Sequence, residues 1–372
     1  MAKLEINSLD GFLEYTQRHG SHSKSLTNIL HGLNINPTKG FIPNNKDYQG
    51  YTFFTRPQLN MNNINIANVR KLYSFLTNND KSPYRYVRNM LDPRLHFLGI
   101  QCPYVDNESA FIPCLTNAIK SISGWPDVAM PNFTTSAGAR QEEWSITDGM
   151  FDIYSAYDID VTFYNMRNEP ILLLFFMWEY YQSCVFENTM MPYLDLMLNN
   201  EIDYNTRIYR LVMDETNTFV KKIGATGASF PVTLPTGQFF DYDESKPYSD
   251  QTREFTVKFR SMGADYNDHI TMYEFNRVQA IFNMEIRKMM SGESHNLEKV
   301  PKTLRPLFNY NMYPYINLDT TELEWYINKN NKKYEQYVGA IESYIDPTNS
   351  SEEYRGQEYE RNTLNNIGQI LI

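Results

Sequence analysis

Acidic side chains gather at Asp241, Asp243, Glu244 and Asp250. Paired carboxylates are the groups that general acid–base chemistry and glycoside hydrolysis require, so a carbohydrate-active enzyme could use this segment as its site. A solvated loop between two strands has the same composition, and we favour that interpretation. If the segment is an active site, replacing Asp241, Asp243 and Glu244 together by alanine abolishes activity.

Other residue patterns that carry chemistry are weak. His19 and His22 are three positions apart beside a glycine, which is a poor basis for a metal site. GATGA (224–228) lacks the lysine of a phosphate-binding loop, so we predict a turn there. The sequence contains no GxSxG or HExxH motif. We therefore predict no catalytic residue, no metal site and no cofactor.

Composition excludes further classes of function. The 372 residues are 42% hydrophobic and 15% aromatic, which suffices for a substantial core and favours a large subunit interface. The net charge of −10 argues against binding nucleic acid through concentrated lysine and arginine. Cys102, Cys114 and Cys184 form no CxxC pair and no secretion signal is evident, so we expect synthesis in a reducing cytoplasm.

One apolar stretch, EPILLLFFMWEYY (169–181), is central to the elements that would position a functional site. Its uncharged part is too short for a membrane span, and Glu179, Gln182 and Glu187 fall on one side of a helix. We predict a helix of about five turns, capped by Asn168 and stopped by Pro192. Its wide apolar face comprises Leu172, Phe175, Phe176, Trp178, Tyr181, Val185 and Met190.

Alternating segments before and after this helix predict β-strands. In DIDVTFY (158–164), Ile159, Val161 and Phe163 share one face, and in EFTVKF (254–259), Phe255, Val257 and Phe259 do so. YTFFTR (51–56), RIYRLVM (207–213) and FVKKI (219–223) are further strand candidates. The order of strands, one long helix and more strands predicts an α+β fold with antiparallel pairing.

We divide the chain into three parts. Residues 1–48 form an N-terminal arm, and 49–268 a β domain in which 60–131, broken by prolines, is an inserted subdomain. Residues 269–372 form a helical C-terminal extension, with helices over 270–290 and 321–345 and a polar tail.

The run from 223 to 267 resembles the closing part of the phage tail tube fold. The likeness rests on a small-residue turn followed by Phe230 and Pro231, on the aromatic–acidic segment Phe240–Tyr242, and on the alternating strand 254–259. Upstream, SAGARQEEWSITDGMFDIYSAYDIDVTFYN resembles the hairpin that leads into the helix of that family, and YTFFTRP resembles its first strand. The likeness is closest to the tube initiator and cap proteins at the baseplate end of contractile tails.

This resemblance implies a structural role in the virion tail. Tail tube domains assemble as hexameric rings whose strands join across subunits into a closed barrel, and polar strand faces line the channel for DNA ejection. It implies homo-oligomeric and other tail-protein partners, such as tube, sheath, baseplate or neck proteins, and no membrane partner. The implied tube strand residues are Phe230, Pro231, Phe255, Val257, Phe259, Ile159, Val161 and Phe163, and the packing helix residues are Phe175, Phe176, Trp178 and Tyr181.

Two alternatives remain at this stage. One is the carbohydrate-active virion enzyme described above. The other is a fibre or decoration module, which would be a monomer or a trimer with the edge of the 254–259 strand covered inside one chain.

Overall fold

The computed structural model describes residues 47–149, 155–241, 243–245, 247, 252–308 and 311–330. Most of the predicted arm, His19, His22, Asp250 and the tail beyond 330 lie outside the described residues. Strands are β1 (Tyr48–Phe54), β2 (Ile119–Ser123), β3 (Asn132–Thr134), β4 (Ser145–Thr147), β5 (Ala156–Tyr164), β6 (Ile208–Met213), β7 (Val220–Thr233), β8 (Glu254–Tyr266), β9 (Leu297–Lys299), β10 (Tyr313–Ile316) and β11 (Leu323–Asn328). Helices are α1 (Asn63–Ala67), α2 (Pro83–Leu91), α3 (Pro113–Ala118), α4 (Pro170–Phe186), α5 (Leu194–Leu198), α6 (His269–Phe282) and α7 (Met284–Met290), with 3-10 turns at Arg70–Leu76, Pro93–Leu98, Gly237–Phe239 and Lys302–Phe308.

The main sheet has six antiparallel strands in the order β1-β6-β7-β8-β5-β2. The five strand candidates are all confirmed, and the fold is the predicted α+β class with an antiparallel, nearly closed, barrel-like sheet. The predicted turn at 224–228 is wrong, because these residues continue β7 and pair with β8. Small side chains there permit close strand packing, and a glycine-rich segment need not end a strand when both its neighbours bond to it.

A glycine pair bends the two longest strands. Gly263 in β8 has φ +68, and a Cβ on Gly227 in β7 would lie 2.7 Å from the Met262 carbonyl oxygen. Residues three apart in a regular strand face opposite sides, yet the hydroxyls of Thr226 and Ser229 hydrogen bond at 2.8 Å. The side-chain alternation of β7 therefore shifts at this point, and the sheet divides into two halves.

The bend folds the sheet around an inner face. Two strands separate β1 from β8 in the sheet, but the Phe54 ring lies 5.8 Å from Phe259 and 5.9 Å from Phe163. This contact is possible only because the sheet curls. We call the face that carries Phe54, Phe163 and Phe259 the inner face and the opposite one the outer face.

Helix α4 covers the inner face, as its apolar composition predicts. Phe175 packs against Phe163 at 5.4 Å and against Phe259 at 5.7 Å, and it belongs to the larger core cluster. The boundaries differ from the prediction. Asn168 and Glu169 both have left-handed backbones before Pro170, and the helix ends at Phe186, well ahead of Pro192.

Short helices from 63 to 118 pack on the other side of α4 and complete this core. Two buried arginines tie the segment together through backbone carbonyls. Arg56 donates to the carbonyls of Met90 and Asn89, and Arg88 donates to that of Met61. Their charge is not offset by a carboxylate bridge, so desolvation lowers the pKa of both guanidinium groups to about 10. That 60–131 is an inserted subdomain stays a prediction.

The C-terminal region mixes helix and sheet. The predicted helical segment 270–290 is confirmed as α6 and α7, divided at Asn283. The predicted helix over 321–345 is wrong in its described part, because LEWYIN forms β11 between β10 and β9. Leu323 and Ile327 are buried in β11, and its aromatic residues favour a strand once partner strands are available.

This C-terminal unit covers part of the outer face. The Phe275 ring of α6 lies 5.3 Å from Phe53 of β1 and 5.3 Å from Tyr209 of β6. Arg207 also connects α6 to the sheet, because it forms ion pairs with Asp265 of β8 at 2.9 Å and with Glu274 of α6. One half of the outer face is therefore buried, and the half formed by β5, β2 and the first part of β8 is left open.

Candidate functional site

The open half of the outer face is polar, because alternation in β5 and β8 places their charged residues opposite the core residues. Asp158, Asp160 and Thr162 project from β5. In the register they lie across from Arg260, Lys258 and Thr256 of β8, which project from the same face. On the other face, Ile159, Val161 and Phe163 of β5 and Phe255, Val257 and Phe259 of β8 are buried.

Opposite charges are paired across these strands. Arg260 bonds to Asp158 at 2.8 Å, Lys258 lies 3.9 Å from the same carboxylate, and Asp160 is the register partner of Lys258. Lys120 of β2 pairs with Glu254 of β8. The three acidic residues Asp158, Asp160 and Glu254 are thus matched by the three basic residues Lys120, Lys258 and Arg260.

The Arg260 hydrogen bond lowers the pKa of Asp158 from its ordinary value. The Asp158 carboxylate therefore stays ionised to a lower pH than a free aspartate would. Because these pairs are exposed, their value to folding is small and their effect is on the surface potential.

A shallow cavity of about 310 Å³ opens at one end of this face. Its polar lining comes from Lys120, Ser121, Gln238 and Glu254, together with the hydroxyls of Thr162 and Thr256, which bond at 2.9 Å. Lys120 and Glu254 are the charged residues of this lining, and they pair with each other.

The predicted tube strand residues divide between the core and its margin. Ile159, Val161, Phe163, Phe255, Val257 and Phe259 are all buried on the inner face under α4. Pro231 is buried opposite Phe259, and its carbonyl accepts a hydrogen bond from Gln182 at 3.2 Å. Phe230 is half-buried, and its ring packs edge-to-face on Tyr204 with the ring centroids 5.7 Å apart. That these strands join subunits stays a prediction.

The predicted packing residues of α4 do not all face the core. Phe175, Trp178 and Tyr181 are fully buried, and the Trp178 indole donates to the Tyr204 carbonyl at 2.8 Å. Phe176 is 41% exposed and stacks on Tyr180 on the side of α4 away from the sheet. The apolar face predicted from the sequence is therefore wider than the face that the subunit itself covers.

The described carboxylates of the predicted acidic segment lie at the surface. Asp241, Asp243 and Glu244 are exposed, and the Asp243 carboxylate caps the Ser245 amide at 3.0 Å. Across the described ranges no group of His, Cys, Asp and Glu has the arrangement of a metal site. Lys120 is a member of the charged face that the sequence did not indicate, although the alternation in IKSIS (119–123) was the available signal.

In the described chain, a curled antiparallel sheet with β1 and β2 at its two ends holds one long helix in its concave side, an arrangement consistent with the tail tube fold that the sequence predicts. A family model described as "Putative phage tail tube protein" matches residues 5–341. The chain belongs to this family, and the family assigns it to the virion tail.

Two solved structures align with part of the chain. One is the anti-feeding prophage cap, a tube-terminating cap, with 14% identity, a TM-score of 0.26, and coverage of 43% of this chain and 83% of that chain. The other is the sheath/tube terminator of an extracellular contractile injection system, with 10% identity, a TM-score of 0.25, and coverage of 43% and 89%. No curated protein matches the sequence. Within the described residues, no helix is both long and apolar enough to cross a membrane.

Proposed function

We propose that the protein forms a ring, most simply of six copies, at one end of the tail tube, and that DNA passes through the ring. The observation that carries the proposal is the open half of the outer face. It is the one broad polar sheet surface of the described chain that no helix covers, and its charges are matched.

A surface on which positive and negative charges are paired suits the wall of a DNA channel. A wall rich in unpaired lysine and arginine would bind the phosphates through release of counterions and would hold the genome. Here each basic group faces a carboxylate of another strand, so a phosphate meets little net positive charge. DNA can then slide past without being retained.

The edges of the sheet support assembly. Among the described strands, β1 pairs only with β6 and β2 pairs only with β5. The end of the β1 edge at Phe54–Arg56 bonds to residues 110–112, and the earlier part of that edge and the β2 edge face no other described strand. Such edges promote pairing with another chain unless they are covered. In a ring, the β1 edge of one subunit can meet the β2 edge of the next, and closure leaves no free edge.

A position at an end of the tube is supported by what surrounds the sheet. The helices of 63–118 and the C-terminal unit add outward surface to the core of the fold, which offers contacts for tube, sheath, baseplate or neck proteins. The aligned solved structures are a cap and a terminator in their own systems.

Electron microscopy and native mass measurement of the purified protein test the proposal. We expect closed rings with a central channel and a mass of about six subunits. A stable monomer or trimer with no annular particles, at concentrations where neighbouring tail proteins are also supplied, would overturn it and would favour a decoration or fibre module.

A further inference from the structure

A groove between α6 and α7 combines positive charge with apolar surface. It encloses about 460 Å³. Tyr273, Arg277 and Ile281 recur every four residues on α6 and so lie along one side of the helix, opposite the buried Phe275 and Gln279. The complete lining is Tyr273, Arg277, Ala280, Ile281, Arg287, Met290 and Ser291.

The two arginines of the groove have no partner among the described residues. Arg277 and Arg287 are both exposed. The nearby carboxylates are engaged elsewhere, since Glu274 pairs with Arg207 and Glu285 pairs with Lys288 at 2.6 Å. The other arginines near the sheet, by contrast, bind carboxylates or carbonyls, as Arg207 and Arg260 do. Two guanidinium groups are therefore left to bind an external anion.

The groove also leaves large apolar side chains in water. Of the lining residues, Ile281 is 68% exposed and Tyr273 is 47% exposed. A small inorganic anion would not cover them. Contiguous apolar surface beside fixed charge is typical of a protein contact, so the ligand that fits is a polypeptide with an aromatic anchor and neighbouring carboxylates.

The chain itself carries such a segment on another surface. Phe240 is 86% exposed, and the exposed Asp241 and Glu244 follow it. The turn before it is fixed to β8, because the Phe239 ring lies 6.0 Å from Phe255 and Gln238 donates to the Glu254 carbonyl at 2.8 Å. Because this turn is held in place, the segment that follows it loses less conformational entropy on binding.

We propose that Phe240 of one copy inserts into the α6–α7 groove of a second copy, where Asp241 and Glu244 face Arg277 and Arg287. Among the described residues of one subunit, the groove is lined by α6, α7 and Ser291, and Phe240, Asp241 and Glu244 are not part of that lining. The contact joins two different patches and is therefore heterologous, the type that links subunits head to tail. It rests on the proposed assembly of copies and names one contact within it.

A peptide with the sequence of residues 236–247 tests the contact without requiring a ring. We expect this peptide, fluorescently labelled, to bind the full chain at low salt and to bind the R277E/R287E variant at least about tenfold more weakly, because two charge pairs become repulsive. Added salt should weaken binding to the unaltered chain. The variant R70E/R140E, which reverses two exposed arginines away from the groove, is the matched control and should bind as the unaltered chain does.

Two substituted peptides sharpen the test. A peptide with D241K and E244K should bind the R277E/R287E variant more tightly than it binds the unaltered chain. A peptide with F240A should bind neither protein. Equal binding of the native peptide to R277E/R287E and to the unaltered chain, or no binding at all, would overturn the inference. Absence of rings with intact peptide binding counts against the proposed function alone, and intact rings without peptide binding count against this contact alone.

Discussion

Trp178 shows how one side chain can be decisive for the subunit. It is fully buried in α4, where its ring stacks parallel to Phe175 with centroids 6.2 Å apart. Its indole nitrogen also holds the carbonyl of Tyr204, in the chain that leads to β6. Removing the ring thus removes both core volume and a tie between two segments.

We expect Trp178→Ala to lower the free energy of unfolding by roughly 3–5 kcal/mol, through lost burial and the cavity left behind. Urea unfolding of the isolated subunit measures this change. Phe176→Ala is the control on the same helix, and because Phe176 is partly exposed we expect a change under about 1 kcal/mol. If Trp178→Ala unfolds like the unaltered chain but fails to assemble, the indole serves a subunit contact instead.

At the scale of elements, the bend in β7 and β8 decides the shape of the sheet. A straight pair of strands would keep one face continuous from end to end. The shift at Gly227 and Gly263 instead turns Phe54 and Phe259 towards each other. It also separates the outer face into a half covered by α6 and an open half.

We expect Gly227→Ala to destabilise the subunit by about 1–3 kcal/mol, because its Cβ would meet the Met262 carbonyl oxygen at 2.7 Å and the strands would have to separate. Thermal or urea unfolding measures the effect. Gly237→Ala is the matched control, since a Cβ there meets nothing within 4 Å, and its effect should stay within about 0.5 kcal/mol. Equal effects at both positions would show that the bend tolerates a side chain.

At the scale of the whole molecule, two arrangements define what the protein can do. The inner face is filled by α4 and by the short helices, which makes the subunit stable. The open half of the outer face carries paired charges, and in the proposed ring it would face DNA without binding it tightly.

We expect Asp158→Asn to increase retention of duplex DNA by assembled protein at low salt, because Arg260 and Lys258 lose their shared carboxylate and can contact phosphates. A filter-binding assay across a salt series measures retention, which should fall steeply as salt rises. Asp80→Asn makes the same charge change at an exposed site outside the sheet and should leave retention unaltered. Equal retention of DNA by the two variants would show that Asp158 does not line the channel.

Much of the fold could be predicted from local sequence. The alternation in 158–164 and 254–259 and the apolar run after Pro170 identify β5, β8 and α4, because period and propensity act over a few residues. The region 224–228 and the segment 323–328 could not be assigned this way. Each becomes a strand because neighbouring strands bond to it, and those neighbours lie far away in the chain.

The candidate site follows the same division. The sequence by itself determined that the chain has a net negative charge and no recognised catalytic motif. It also determined that β5 and β8 each have one polar face and that the apolar face of α4 must pack on another surface. Only the tertiary structure decided that Lys120 completes the charged face and that Phe176 points away from the core. It also decided which half of the outer face stays open. Strand pairing and coverage by the C-terminal unit bring together residues that are far apart in the sequence, so local sequence patterns do not specify them.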